Sequence, residues 1–443
     1  MKELIVEKIR NAGVVGAGGA GFPTHVKVNA KVDTVLVNGA SCEPLLMSDP
    51  HLMENEIDTV VQGLNAVLDA TGASRGVICL KGKHGAAMAA VKAAVAKDDQ
   101  GRLECFELKD FYPAGDEQVL VREVTGKTIP EAGLPLQVGC VVSNVESLYN
   151  VAQAMADQPL IYRYLTVTGE IAEPMVVKVP VGTRVADVLA FAGGPLISDY
   201  VVVDGGPMMG RVLTDTDQSV TKTTSGLIVL PPDHPVVARK IMDPARVRRI
   251  TNTICCQCTQ CTDLCPRNLL GHGLHPHKLM RVIPGSELET PSAREALLCS
   301  ECGICEKFAC PMGLSPREVN AQIKASFMKE GIRWEGEGGE PVNHRFRETR
   351  YIPTSRLMQR LKVTGYDTHP GLCPRPFGVD GVVIPLKQHI GAPAVCTVAV
   401  GDRVSAGDPI GEIPENALGA RIHASIDGVV TDTSQGRVTI GRQ

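Results

Sequence analysis

Aromatic side chains are scarce, 4% of 443 residues with a single tryptophan, which leaves no stacking platform for single-stranded nucleic acid. An excess of positive charge is also missing. The formal net charge is −4 and charged residues are 21% of the chain, which excludes the basic surface of a nucleic-acid-binding protein. No apolar run approaches the roughly 18 to 20 residues that a helix needs to cross a bilayer, so no transmembrane segment is expected. The opening MKELIVEKIRNAG intersperses charge among apolar residues and is not read as a secretory signal, which points to a cytoplasmic protein. The length suits roughly two to four domains.

Cysteine is present in quantity, and its distribution is uneven. Of fifteen cysteines, nine fall between Cys255 and Cys310, a bunching that indicates metal binding rather than disulfide stapling. The first run is Cys255-x2-Cys258-x2-Cys261-x3-Cys265-Pro266 and the second Cys299-x2-Cys302-x2-Cys305-x4-Cys310-Pro311. Three thiolates at steps of three wrap one face of an iron–sulfur cubane, while the fourth lies too far along the chain and ligates the partner cluster. Two [4Fe–4S] clusters are therefore expected, one on Cys255, Cys258, Cys261 and Cys310, the other on Cys299, Cys302, Cys305 and Cys265. Zinc is the competing occupant, but it usually takes two CxxC pairs, not a triple step closed by Cys-Pro. The extra residue before Cys310 either loosens that ligand or bulges the chain. Cys256 reads as a surplus thiol, the histidines of GHGLHPHK as a polar loop, and the solitary cysteines, Cys42 apart, as buried small hydrophobes.

Upstream, a helix over 2–11 leads into a segment with glycines at 13, 16, 18, 19 and 21, followed by Phe22-Pro23-Thr24. It contains G-x-G-x-x-G, but a helix precedes it and a proline follows, so the dinucleotide fingerprint of a Rossmann unit is disfavoured. Close glycines still let backbone N–H groups approach a phosphate or a flat ring. Strands are expected over 34–38, 76–80, 103–107 and 138–142, and helices over about 51–71 and 85–97, an α/β alternation. The Asn38…Glu43-Pro44 turn, Tyr112-x-x-Gly115-Asp116-Glu117 and Asn144-Val145-Glu146 stand at strand ends and helix starts, where polar groups cap helices or meet ligands.

GAGGAGFPT, the Asn-Gly-x-x-x-Glu-Pro turn, Tyr-x-x-Gly-Asp-Glu and Asn-Val-Glu occur in the order of the complex I flavin subunit. They resemble more closely the RnfC component of Rnf-type oxidoreductases and the propanediol-utilization cobalamin reductases. The resemblance implies an FMN domain that accepts hydride from NADH. It would put FMN contacts on Gly16, Gly18, Gly19, Lys27, Asn38, Tyr112, Gly115, Glu117 and Asn144, with NADH near Phe22, Glu43 and Asp116. Ser41 departs from the family's turn, which usually carries glutamate there, and this bears on the use of NADH.

The same resemblance extends over nearly the whole chain. It implies a multidomain α/β protein: a complex I flavin-subunit-like FMN domain (1–158), an SLBB-like β-grasp module serving as spacer (159–232), a ferredoxin-like two-cluster domain (233–332) and a C-terminal barrel-sandwich module (381–443). Residues 333–380 between the last two, rich in Gly, Pro, Arg and Glu with little periodicity, read as an extended linker. A basic helix over 234–250 is expected ahead of the clusters and another over 316–330 behind them. The last module resembles biotinyl and lipoyl carriers, but no lysine follows Lys387, so it cannot hold their prosthetic group. Rnf-type proteins carry a similar segment at the N-terminus; here it closes the chain, as in the cobalamin reductases. The activity implied is NADH-dependent reduction of cobalamin in propanediol degradation, with no catalytic acid or nucleophile because the cofactor carries the chemistry. Partners implied are NADH, cobalamin or a corrinoid-binding adenosyltransferase, and the shell protein of a bacterial microcompartment. A peripheral component of an Rnf-type membrane complex and a flavin-free electron-transfer protein are the alternatives.

Overall fold

The computed structural model describes residues 1–336 and 339–442. Residues 337–338 of the expected linker and residue 443 of the expected sandwich lie outside the described residues. The N-terminal part is built on a four-stranded parallel sheet in the order Leu103–Leu108, Arg75–Lys81, Thr34–Gly39, Cys140–Asn144. Its inner strands Thr34–Gly39 and Arg75–Lys81 are buried on both faces because helices cover both, whereas the edge strand Leu103–Leu108 exposes Glu104 and Glu107. Val35, Val37, Ile78 and Leu80 face the helices Lys2–Asn11, Ile57–Thr71 and Val145–Met155. Leu36, Val77, Cys79 and Val142 meet Leu120 and Val121 of the helix Glu117–Thr125.

A five-stranded sheet follows, ordered Met175–Pro180, Tyr162–Gly169, Gly226–Leu230, Val201–Asp204, Arg211–Val212. The pairing of Tyr162–Gly169 with Gly226–Leu230 is parallel and the others are antiparallel. Helix Val185–Phe191 buries Val185, Val188 and Leu189 against this sheet, giving a β-grasp. The cysteine runs lie in a domain of short helices backed by Pro316–Lys329. The chain ends in two small antiparallel sheets packed around Ile384, Ile410, Ile422, Val438 and Ile440.

Several expected elements differ. The helix over 51–71 is two, Ser48–Asn55 and Ile57–Thr71, separated at Glu56, whose ψ of 23° departs from helical geometry. The strand over 138–142 begins at Cys140, because Pro135–Val138 forms a tight helical turn closed by Gly139 at φ 76°. The basic helix over 234–250 is broken into Pro235–Lys240 and Pro244–Ile254. Pro244 cannot donate back into a preceding turn, and Asp243 instead caps the second helix through the amides of Ala245 and Arg246.

The stretch expected as an extended linker is a packed strap. Ile352–Pro353 pairs with Phe111–Tyr112, and the helix Thr354–Leu361 buries Leu357, Met358 and Leu361. These apolar groups join one core with Tyr112, Met208, Val236 and Ile304, so three modules are stitched together beneath the strap.

Candidate active site

Sheet order reverses beside Thr34–Gly39: two strands follow it on one side and Cys140–Asn144 lies on the other. Open α/β sheets bind ligands in the crevice beyond the carboxyl ends of their strands at such a point. A cleft of about 510 Å³ opens there, within the size range of small-ligand sites.

All twelve residues singled out for flavin and dinucleotide contact line this one cleft: Gly16, Gly18, Gly19, Phe22, Lys27, Asn38, Glu43, Tyr112, Gly115, Asp116, Glu117 and Asn144. The glycine segment forms its rim. Gly16 N donates to Phe22 O at 2.9 Å and Ala17 N to Ser147 Oγ at 2.8 Å, which folds the loop back on itself. Gly19 has φ +84°, and a Cβ built there would meet nothing within 4 Å, so the backbone is open towards the cleft. Lys27 sets an ammonium on the wall, donating to Val142 O at 2.9 Å and standing 3.5 Å from Glu117 Oε1. Asn38 Nδ2 donates to Gly115 O at 2.8 Å. Asn144 caps the helix Val145–Met155 and donates to Asp49 Oδ2 at 2.9 Å. Bare backbone, the Lys27 ammonium and several amides around a cavity of this size fit a phosphate-bearing flavin.

Two acidic members are already engaged with protein. Both oxygens of Glu43 accept from the β-grasp turn, from Met208 N at 2.9 Å and Met209 N at 2.8 Å. A Cβ on Gly206 would lie 2.1 Å from Glu43 Oε2, so this turn requires glycine where the carboxylate passes. Asp116 caps the helix Glu117–Thr125 and pairs with Arg267 at 2.6 and 3.0 Å. Ser41, at φ 41°, turns its hydroxyl to Leu46 O at 2.7 Å. Cys42 lines the cleft too, its sulfur accepting from Gly115 N at 2.7 Å, and burial pushes its thiol pKa up.

Glu146 of the Asn-Val-Glu motif also lines the cleft, as do Asp49, Ser147 and Arg163, which no motif marked as ligands. Arg163 comes from the β-grasp and is 1% exposed at its side chain; it reaches Glu146 Oε2 at 2.8 Å, Thr224 O at 2.9 Å and Ala17 O at 3.3 Å. Burial raises the Glu146 carboxyl to about 7 against the pull of Arg163, and raises Asp49 to about 6 against the Asn144 amide. The β-grasp is therefore more than a spacer, since its Arg163, Met209 and Ser225 form one wall of the cleft. Arg163, the one charged residue within the strand Tyr162–Gly169, was the available signal.

The two cysteine runs cross over. Cys255, Cys258, Cys261 and Cys310 line one cavity, and Cys265, Cys299, Cys302 and Cys305 a second. Among the described residues no three cysteine, histidine or acidic side chains converge on a point fit for a single ion. Each cavity is lined by four cysteines, a donor set that fits one [4Fe–4S] cluster. Burial pushes the Cys261 and Cys265 thiols up to about 12, so these sulfurs would become thiolates only on taking up a metal. The extra residue before Cys310 is taken up in one π-helical turn, Cys305–Ala309. Cys256 is exposed beside the first cavity. The histidines are not a free polar loop: buried His272 lies 2.9 Å from Ile129 O, His275 3.0 Å from Glu295, and His277 2.7 Å from Thr262 Oγ1.

Four family models match in succession: the Nuo51 FMN-binding domain over residues 9–153, the SLBB domain over 164–212, the 4Fe-4S dicluster domain over 254–315, and the RnfC barrel sandwich hybrid domain over 379–443. Together with the cleft and the paired thiol cavities they define a multidomain flavin and iron–sulfur oxidoreductase. The chain is 44% identical to the cobalamin reductase PduS of Salmonella typhimurium over 99% of its length and 96% of the relative's. It is 41% identical to that of Citrobacter freundii over 99% of this chain and 97% of the other. The chain belongs to the cobalamin reductase family. A component of the Na(+)-translocating ferredoxin:NAD(+) oxidoreductase complex of Acetobacterium woodii is 37% identical over 60% of this chain and 58% of its own. Among solved structures, an NAD+-reducing [NiFe]-hydrogenase in the H2-reduced state aligns with TM-score 0.49 and 21% identity, over 76% of this chain and 64% of that one.

Proposed function

We propose that this oxidoreductase takes hydride from NADH at the cleft and delivers single electrons through two [4Fe–4S] clusters to cobalamin, reducing cob(III)alamin to cob(II)alamin and then cob(I)alamin. The observation that carries the reading is that the cleft bordered by the glycine rim reaches Cys302 of a cluster motif without leaving the protein. FMN held there would couple a two-electron donor to one-electron carriers. In this reading the Gly16–Gly19 backbone and Lys27 hold its phosphate side, while Asn38 and Asn144 orient its polar edge. Phe22, 37% exposed on the rim, offers its ring to the dinucleotide. With Glu43 and Asp116 committed to neighbouring modules, dinucleotide contact falls mainly to the ring and the glycine backbone. No side chain needs to act as acid or nucleophile.

The family to which the chain belongs supports a corrinoid acceptor. The setting that goes with it is cytoplasmic propanediol degradation, within a microcompartment whose shell protein and corrinoid adenosyltransferase are its neighbours. The test is turnover by purified chain reconstituted anaerobically with iron, sulfide and FMN. NADH-dependent reduction of cob(III)alamin is expected; reduction of ferredoxin with none of cobalamin would instead favour the Rnf-type role.

A further inference from the structure

The two thiol cavities stand differently towards the cleft. Of the cysteine runs, the second contributes Ser300 and Cys302 to the cleft wall, and among the described lining residues the first contributes none. Two buried contacts fasten the cleft to that same cavity. Tyr112 Oη donates to Cys302 O at 2.7 Å. Asp116 receives Arg267 in a two-pronged pair, with side chains 11% and 10% exposed, and Arg267 follows Cys265, whose sulfur shares the cavity with Cys299, Cys302 and Cys305. The other cavity reaches the surface, where Cys258 is exposed and Met312 on its rim is 50% exposed. Electron tunnelling weakens steeply with distance, so the cavity on the cleft wall receives and the cavity that a partner can touch gives up.

We infer, on the flavin reading of the cleft, that the cluster on Cys265, Cys299, Cys302 and Cys305 receives electrons. The cluster on Cys255, Cys258, Cys261 and Cys310 releases them to a one-electron acceptor at the surface around Cys258. Arg267 is a positioning residue that holds the receiving cluster against the cleft. The balance closes: NADH leaves as NAD+, one proton goes to solvent, and two electrons pass singly, reducing two corrinoid molecules by one electron each or one by two.

The test uses the full, anaerobically reconstituted chain and its Cys258→Ser and Cys302→Ser variants, mixed with NADH, freeze-quenched and read by electron paramagnetic resonance. In Cys258→Ser the receiving cluster is reduced by NADH while electron delivery to cob(III)alamin falls to background. In Cys302→Ser the surviving cluster stays oxidised with NADH yet is reduced by dithionite. NADH-dependent reduction of the surviving cluster in Cys302→Ser, with none in Cys258→Ser, overturns the order. If the unaltered protein shows no NADH-dependent signal, photoreduction of the bound flavin replaces NADH, so a failed donor is told apart from a failed order. Should a serine ligand cost the domain its fold, Arg267→Gln decides. Flavin bleaching by NADH keeps its rate while the reduced-cluster signal appears slower, on the order of tenfold, as for a modest misplacement. Arg267→Lys restores part of that rate. An unslowed cluster signal in Arg267→Gln contradicts the positioning role.

Discussion

Arg163 joins the β-grasp to the flavin cleft through Glu146 and the carbonyl of Ala17. Breaking a buried pair by removing one member leaves an uncompensated charge and costs about 3–5 kcal/mol, so Arg163→Met is expected to lose that much. The loss carries a pH signature. Glu146 is raised from its ordinary 4.5 to about 7 by burial, with Arg163 as the first group drawing it down. The unfolded chain thus gives up this proton before the folded one, and stability falls as pH rises from about 4.5 through the folded value. Without Arg163 the folded value climbs further, and the deficit of Arg163→Met is wider at about pH 8 than at about pH 5 in denaturant unfolding. A deficit independent of pH contradicts the assignment. Such a residue was not legible in advance, because local pattern says that a strand passes here and nothing about which distant carboxylate its one arginine meets. The cysteine spacings and the glycine rim were legible, because each encodes its chemistry within a dozen residues.

At the scale of elements, the strap over Ile352–Leu361 shows where pattern reading stops. Its surroundings are rich in glycine, proline and charge, yet Thr354–Leu361 presents Leu357, Met358 and Leu361 on one side and packs them against Tyr112, Met208 and Ile304. Eight residues are too few for periodicity to stand out against such a background, and the strand partner Phe111–Tyr112 is remote in sequence. Leu357 is fully buried, and Leu357→Ala is expected to cost about 2–5 kcal/mol. Thermal unfolding and limited proteolysis of the strap check this. Unchanged melting and protease resistance would mean that the strap is a passive tether. The π-helical turn Cys305–Ala309 is a milder case: the spacing announced an extra residue, and only the fold showed that the backbone absorbs it while Cys310 still reaches its cavity.

At the scale of the whole molecule, three modules meet at one cleft. The flavin-type domain supplies its floor, the β-grasp one wall and the second cysteine run the far end, while the cavity of the first cysteine run, in the same domain as the second, reaches the surface. The terminal sandwich touches the glycine rim as well: a Cβ on Gly21 would lie 3.0 Å from His389 Cβ, and Lys222 ties Gly13 O at 2.8 Å to Arg421 O at 2.6 Å. Module order was readable because each module carries its own motif, whereas the way they enclose a common cleft depends on contacts between them. The central claim is that a flavin in this cleft feeds two clusters. One anaerobic preparation, assayed for iron, sulfide and FMN and then titrated with NADH, tests it most directly. One FMN and two four-iron clusters per chain, with flavin bleaching followed by cluster reduction, is the predicted result; a chain that holds its iron but neither retains FMN nor responds to NADH would contradict it.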